Sequence, residues 1–83
     1  MMMNEESWRM AMSEILKIRL KGEYIRLGQA LKAVNLAEDG VDAKYKIQDG
    51  LVRVNGDVDT RRGRKLYAGD EVSYEGNQIH IIG

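Results

Sequence analysis

The stretch from Leu51 to Thr60, LVRVNGDVDT, constrains the fold more than any other part of the chain. Its valines alternate with polar residues on either side of Asn55-Gly56, a pattern typical of two short strands with one apolar face. Asn-Gly is strongly preferred in two-residue hairpin turns, because both residues tolerate the positive φ that such turns require. The stretch therefore predicts a β-hairpin centred on Asn55-Gly56.

A strand and a helix are predicted before this hairpin. Leu16, Ile18 and Leu20 alternate with basic residues, which indicates a half-buried strand. In the segment RLGQALKAV, residues 26–34, the apolar residues recur with helical spacing and form one stripe. The remaining positions are polar, so the segment predicts a short helix with one buried side.

A second short helix is predicted in DAKYKIQDG, residues 42–50. Ala43 and Ile47 share one face of it, and Gly50 is a suitable terminator because glycine adopts a left-handed conformation without a β-carbon clash. The preceding segment, NLAEDGVD, has the composition of a loop. Either Asp39 or Asp42 is a candidate N-cap for this helix.

The remainder of the chain predicts short strands and turns. RRGRKLYAGDEV, residues 61–72, is expected to be irregular, with Asp70 in a turn. A second hairpin is predicted in VSYEGNQIHII, residues 72–82, with positions 75–78 as its turn and His80 opposite Ile79 and Ile81. The order of elements predicts a single α+β domain over residues 1–83, with two short antiparallel helices packed on a small antiparallel β-sheet.

Composition argues against several classes of function. The chain has 83 residues and no cysteine, so disulfides and thiolate metal sites are excluded. It has one histidine, His80, which we expect to be an exposed strand residue, and it lacks the glycine-rich motifs that hold phosphates. We therefore predict no catalytic activity, no cofactor and no metal. No apolar run approaches the roughly 18 residues of a membrane span, and the N-terminus does not resemble a signal peptide.

Charge is distributed unevenly along a chain that is neutral overall. Basic residues outnumber acidic ones between positions 17 and 65, whereas residues 1–16 and 66–83 are both net acidic. Four cations stand together in DTRRGRKL, the stretch from Asp59 to Leu66. Such asymmetry favours a polyanionic partner for the central segment. Taken alone, however, a basic stretch of this kind is more often a solvated surface loop than a binding site, because surface charge is common.

Three tyrosines of the central and C-terminal segments have two possible roles. Tyr45, Tyr67 and Tyr74 are expected mainly to pack against other side chains. Tyr45 is also a possible stacking ring for an unpaired base, with Gln48 supplying an amide beside it.

The central segment resembles a known family. The residues YIRLGQALKAV, followed by GVDAKYKIQDGLVRVNGDVDTRRGRKLYAGDEV, are similar to the RNA-binding domain named after small-subunit ribosomal protein S-four, also called the αL motif. The resemblance covers a motif core at 24–72, and its most specific part is IQDGLVRVNGDV followed by GDEV. Within the family, the chain looks like the small stand-alone bacterial members. Residues 1–14 would then be an N-terminal extension.

The resemblance implies an RNA-binding surface formed by the two helices and the adjacent hairpin. Carried over position by position, it comprises these residues: Arg26, Gln29, Lys32, Lys44, Gln48, Arg53, Asn55, Arg61, Arg62, Arg64 and Lys65. The chain departs from the family at the start of the second helix, where Asp42 stands in place of the usual Ser/Thr-Arg. An acidic side chain is unfavourable next to phosphate, so Asp42 is not included in the predicted site.

The sequence thus predicts a cytoplasmic, monomeric, non-catalytic protein that binds structured RNA and does not associate with membranes. The family resemblance favours ribosomal RNA as the partner, in ribosome assembly or as a ribosome-associated factor. One alternative is an interaction module that docks on an acidic protein surface, with Trp8, Met10 and Met12 as candidates for an exposed apolar patch. A further alternative is a targeting domain of an RNA-modifying enzyme. The length of the chain argues against it, because no room is left for a catalytic domain.

Overall fold

A computed structural model describes residues 15–83, in which two helices pack on one face of a mixed β-sheet. The predictions made for residues 1–14, including the apolar patch at Trp8, Met10 and Met12, lie outside the described residues. None of the helices in residues 15–83 is both long enough and apolar enough to cross a membrane.

The main sheet has five strands, and its topology is antiparallel except at one edge. In spatial order the strands are β1 (Ile15–Arg19), β7 (Asn77–Ile82), β6 (Glu71–Tyr74), β3 (Val52–Val54) and β4 (Asp57–Val58). The edge strand β1 pairs in parallel with β7, and all other neighbours are antiparallel. A separate antiparallel pair joins β2 (Ile25–Arg26) to β5 (Lys65–Leu66).

Both helices lie where the apolar periodicity predicts them. Helix α1 (Leu27–Ala33) buries the predicted stripe, and helix α2 (Gly40–Gln48) buries Ala43 and Ile47. Helix α2 begins slightly earlier than predicted, because Asp39 is its N-cap and accepts a hydrogen bond from the backbone N–H of Asp42 at 2.8 Å. The predicted α+β architecture is confirmed.

One apolar core lies between the helices and the sheet. The largest fully buried side chains come from both helices, from β5 and from the inner face of the sheet: Leu27, Leu31, Ile47, Leu66, Ile79, Ile81, Val52, Val54 and Val72. Alternation along the strands leaves the other face of the sheet, which we call the open face, without a covering helix among the described residues. His80 lies on the open face, where it is half-buried rather than exposed as predicted, with Nε2 3.9 Å from Glu71 Oε2.

The hairpin turns follow from backbone conformations that few residue types adopt. Asn55 and Gly56 have φ values of 52° and 91°, which confirms the predicted two-residue turn. In the second hairpin Tyr74 pairs directly with Asn77, so the turn is Glu75-Gly76 and not the four residues predicted. Both of its residues have positive φ, and the tighter turn lets β7 begin at Asn77.

Helix α1 is attached to the segment that the sequence predicts to be irregular. Strand β5 pairs with β2, and the backbone N–H groups of Leu27 and Gly28 donate to the carbonyls of Arg64 and Arg62 at 2.8 and 3.0 Å. The start of α1 is therefore fixed directly against the basic stretch.

Candidate functional site

The basic stretch 61–65 does not present four equivalent cations. Asp59, which is 5% exposed, accepts hydrogen bonds from Arg61 and Arg64. The Arg61 side chain approaches as a fork, with Nε 3.0 Å and Nη2 2.8 Å from the two carboxylate oxygens, and Arg64 Nη1 lies 2.7 Å from Oδ2. Two of the predicted RNA-binding arginines thus share a buried acidic partner.

The ion pairs also shift the pKa values of Asp59 and Arg61. Hydrogen bonding from Arg61, and secondly from Arg64, holds the pKa of the Asp59 carboxyl well below its usual range, although burial opposes the shift. The same contact raises the pKa of Arg61. Arg61 remains largely exposed, so its outer donors still face solvent, but its charge is partly balanced. Arg61 and Arg64 therefore have a structural role in the loop in addition to carrying positive charge.

Arg62 points to the opposite side of the same loop, over helix α1. A β-carbon added at Gly28 would lie 2.7 Å from Arg62 Cγ, closer than real side chains approach. Glycine at position 28 therefore allows the stem of Arg62 to cross the helix start. Arg62 Nη1 reaches the carbonyl of Gly40 at 3.5 Å, which links the loop to the start of α2.

Arg62 forms one wall of a cleft of about 330 Å³, which we call the basic cleft. Its polar lining comprises Arg26, Gln29, Lys32 and Arg62, with backbone from Gly28, Gly40 and Gly63. Arg26 donates from Nη1 to the carbonyl of Gly63 at 2.9 Å, and its own N–H donates to Gln29 Oε1 at 3.4 Å. Among residues 15–83, none of the three cations has an ion-pair partner. The structure thus brings four of the predicted site residues together.

Helix α2 continues this surface. Gly40 lines the basic cleft, and Lys44 and Gln48 follow it at successive intervals of four residues on the same side of the helix. We call these three residues the α2 stripe. Lys44 and Gln48 are exposed, and Tyr45 beside them is 60% exposed, so the packing role predicted for Tyr45 is wrong. Tyr74, in contrast, is buried in the core as predicted.

The other lysine of α2, Lys46, has a structural role. It donates to Asp42 Oδ2 at 2.7 Å and to the carbonyl of Leu36 at 3.0 Å, and its Nζ lies 5.7 Å from the centre of the Tyr74 ring. The hydrogen bond with Lys46 lowers the pKa of Asp42 and raises that of Lys46. Asp42, which is not among the predicted site residues, thus joins the start of α2 to its last turn.

Lys65 lies near the basic cleft because it contacts the same tyrosine ring, that of Tyr24, as Arg26. Its Nζ lies 4.8 Å from the centre of the Tyr24 ring, and Arg26 Cζ lies 5.5 Å from the same ring. Tyr67, which is about half exposed, meets Tyr24 with ring centres 6.0 Å apart. Tyr24 therefore holds Arg26 and Lys65 near each other, a contact that the sequence pattern does not predict.

Two predicted site residues lie apart from this surface. Arg53 alternates with the buried Val52 and Val54, so its side chain belongs to the open face, and its Nη1 donates to the carbonyl of Gly56 at 3.2 Å. Asn55 uses both ends of its amide: Nδ2 donates to Asp70 at 3.1 Å, and Oδ1 accepts from the N–H of Glu71 at 2.9 Å. Arg53 therefore lies apart from the surface formed by the two helices. Asn55 is a turn residue whose side-chain amide is already hydrogen-bonded.

Comparison with known proteins agrees with this geometry. The S4 domain family matches residues 18–82, nearly the whole described part of the chain. The chain belongs to the S4 domain family. The match includes both helices, the two hairpins and the β2–β5 pair, so the basic cleft and the α2 stripe are formed entirely by the S4 domain.

Two bacterial relatives align with this chain over most of their own length. RlbA of Bacillus subtilis strain 168, named as a candidate ribosome maturation protein, is 46% identical over 59 residues, or 71% of this chain and 83% of RlbA. YbcJ of Escherichia coli strain K12, named as a candidate RNA-binding protein, is 36% identical over 62 residues, or 75% of this chain and 89% of YbcJ.

A solved S4-domain structure has the same fold. The solution structure of YbcJ from E. coli, described as revealing an αL motif involved in RNA binding, superposes with a TM-score of 0.66 at 34% sequence identity. The superposition covers 87% of this chain and 92% of the YbcJ chain. The resemblance to small stand-alone members of the family, predicted from the sequence, is confirmed.

Proposed function

We propose that this S4-domain protein binds structured RNA through one surface formed by the basic cleft and the α2 stripe. The observation that carries the proposal is the set of three cations, Arg26, Lys32 and Arg62, that converge on one cleft with no ion-pair partner among residues 15–83. Arginine offers a planar fork of donors that suits phosphate, and lysine offers a mobile point charge. RNA-binding relatives in the same family support the proposal.

The binding would be electrostatic docking without catalysis. Phosphates would be neutralised, and their counterions released, by the four cations Arg26, Lys32, Arg62 and Lys44. These contacts would fix the position of the RNA backbone. Gln48 and the exposed Tyr45 would then contact base edges and faces where the RNA is unpaired. In this account Arg61, Arg64 and Lys65 contribute background charge around the cleft, whereas Arg53 and Asn55 contribute mainly to the hairpin.

Ribosomal RNA is the partner that we propose, in ribosome assembly or as a ribosome-associated factor acting as a monomer in the cytoplasm. The support is the 46% identity to RlbA, whose name refers to ribosome maturation. Ribosomal RNA also presents many folded elements with exposed loops and bulges, which are the features that a short cationic surface with a few polar side chains recognises.

A second candidate, docking on an acidic protein surface, is favoured by a separate observation. Val41, Leu51 and Val58 are each roughly half exposed, and Val58 packs near Gly50 at the end of α2. Exposed aliphatic side chains beside a cationic surface suit a protein partner as well as a nucleic acid. Loss of a bound protein on changing Val41 and Leu51 to Ser, with RNA binding intact, would favour this candidate.

Crosslinking in native cells tests the ribosomal assignment. Protein would be crosslinked to RNA, purified under denaturing conditions and the attached RNA sequenced, with Lys32→Gln/Arg62→Gln as the site variant. The matched control, Lys17→Gln/Arg53→Gln, removes the same charge from the open face. We expect ribosomal RNA to be enriched by wild type and control but lost with the site variant. Ribosomal RNA that is not enriched over total RNA would contradict the assignment.

A further inference from the structure

A second groove lies next to the basic cleft, and no residue of it other than Gln29 and Lys32 belongs to the predicted site. It has a volume of about 650 Å³ and lies between the end of β1, the following loop and helix α1. Its lining is mainly apolar, with Ile18, Leu20, Ile25 and Ala33. These side chains leave an open apolar surface on a part of the fold where Ile18, Leu20 and Ile25 are only partly buried.

Charge and position connect this groove to the basic cleft. Gln29 and Lys32 line both the basic cleft and the groove, so an RNA strand lying in the cleft passes directly to the groove. Lys21 supplies a further cation to the groove. The acidic residue of the same loop, Glu23, is exposed and is not part of the lining. The groove is thus apolar within and positive at its edges.

Tyr24 gives the groove an aromatic wall. Its ring is half-buried and lines the groove, and it is held in place by Tyr67 and by the cations of Arg26 and Lys65. A ring fixed in this way presents aromatic carbon atoms to the groove at little entropic cost. The Gln29 amide, which lines the same groove, offers hydrogen bonds to a planar polar edge.

We infer that this groove receives the base of an unpaired nucleotide in the RNA that the basic cleft holds. The inference rests on the proposed function. A nucleobase has apolar faces that match Tyr24 and the aliphatic lining, and a polar edge that matches the Gln29 amide. Lys21 and Lys32 meet the phosphates on either side of it. A fully paired stem cannot fill the groove, because its bases remain stacked inside the duplex.

The test compares two RNAs and two variants at one position. The RNAs are a hairpin stem with a single-nucleotide bulge, carrying 2-aminopurine at the bulge, and the same stem fully paired. Ala33→Trp fills the groove from the exposed last turn of α1, and Ala33→Ser is the matched control that leaves it open. Circular dichroism and thermal unfolding establish that each variant is folded.

We expect wild type and Ala33→Ser to bind the bulged RNA more tightly than the paired RNA, by roughly tenfold, as one stacked base would provide. Ala33→Trp should lose that preference and the 2-aminopurine fluorescence change, while binding the paired RNA as wild type does. Equal preference for the bulge in Ala33→Trp and wild type would overturn the inference and leave the proposed function intact. So would a dimer in sedimentation velocity that Ala33→Trp dissociates, because the groove would then bind a second copy. Failure of wild type to bind either RNA would overturn both.

Discussion

Gly28 lies directly under the side chain of Arg62, at a distance where a β-carbon would come within 2.7 Å of Arg62 Cγ. The N–H of Gly28 also donates to the Arg62 carbonyl at 3.0 Å. The start of helix α1 and the basic stretch are thus in contact through both backbone and side chain. Gly28 thus leaves the space in which the side chain of Arg62, a cation of the basic cleft, lies.

Gly28→Ala should therefore displace Arg62 and destabilise the fold by about 1–3 kcal/mol, the usual range for forcing extra volume into a packed site. Unfolding in urea measures the stability. The affinity for RNA should fall as well, because Arg62 would move out of the basic cleft. Gly22→Ala is the matched control, since an added β-carbon there meets no atom within 4 Å. Equal stability of the two variants would show that Arg62 moves aside without cost.

Asp59→Asn should destabilise the fold at neutral pH by about 1.5–3 kcal/mol, because it removes the buried negative charge and replaces one accepting oxygen with an NH₂ group that cannot accept from arginine. Asp57→Asn, an exposed neighbour without an ion-pair partner among residues 15–83, serves as the control. Freed from Asp59, Arg61 and Arg64 should retain RNA binding in the folded fraction. A variant as stable as wild type would show that the buried carboxylate contributes nothing net.

Stability should also depend on pH through Asp59. The pKa of its carboxyl is lower in the folded state than in the unfolded chain, so its contribution is complete above the unfolded value of about 4 and is lost as pH falls below it. Urea unfolding of wild type at pH 6 and pH 3 should therefore show a larger loss at low pH than the same comparison in Asp59→Asn. Identical pH dependence in the two proteins would mean that other carboxyls dominate.

Asn55→Ala should weaken the fold more than it weakens RNA binding. The substitution removes the two amide hydrogen bonds to Asp70 and Glu71 and places alanine at φ 52°, so we expect a loss of about 2 kcal/mol. Binding measured well below the melting temperature should be unchanged. A large loss of affinity in fully folded Asn55→Ala would restore Asn55 to the RNA-binding surface, as the family resemblance implies.

Tyr45→Ala should reduce affinity for RNA with unpaired bases by roughly 5- to 100-fold, the range expected for one stacked base, without changing stability. The ring is exposed and contributes little to the core, so thermal unfolding should be the same as in wild type. Tyr45→Phe keeps the ring and is the matched control. An affinity loss in Tyr45→Phe equal to that in Tyr45→Ala would assign the effect to the hydroxyl instead.

Local features of the fold were predictable from the sequence because their causes are local. The Asn55-Gly56 turn depends on the conformations of two residues, and the buried faces of α1 and α2 depend on spacing within one helix. The parallel pairing of β1 with β7 joins the two ends of the described chain, so no local pattern encodes it. The same holds for the β2–β5 pair, whose strands have only two residues each.

The site was only partly predictable for the same reason. The stripe formed by Lys44 and Gln48 follows from helical spacing, and the structure extends it from the cleft at Gly40. The composition of the basic stretch, however, predicts one set of equivalent cations, because nothing in it separates Arg62 from the two arginines paired with Asp59. A buried acid two residues before the stretch was the available signal, and it becomes informative only once burial is known.

The salt dependence of RNA binding tests the central claim most directly. Affinity for one structured RNA would be measured from low to moderate salt for wild type, Lys32→Gln/Arg62→Gln and the control Lys17→Gln/Arg53→Gln. Each lost phosphate contact should reduce the slope of log affinity against log salt by roughly 0.7–0.9. We predict a slope shallower by about 1.5 in the cleft variant and an unchanged slope in the control. Equal slopes in both variants, or an unaltered slope in the cleft variant, would contradict binding through the basic cleft.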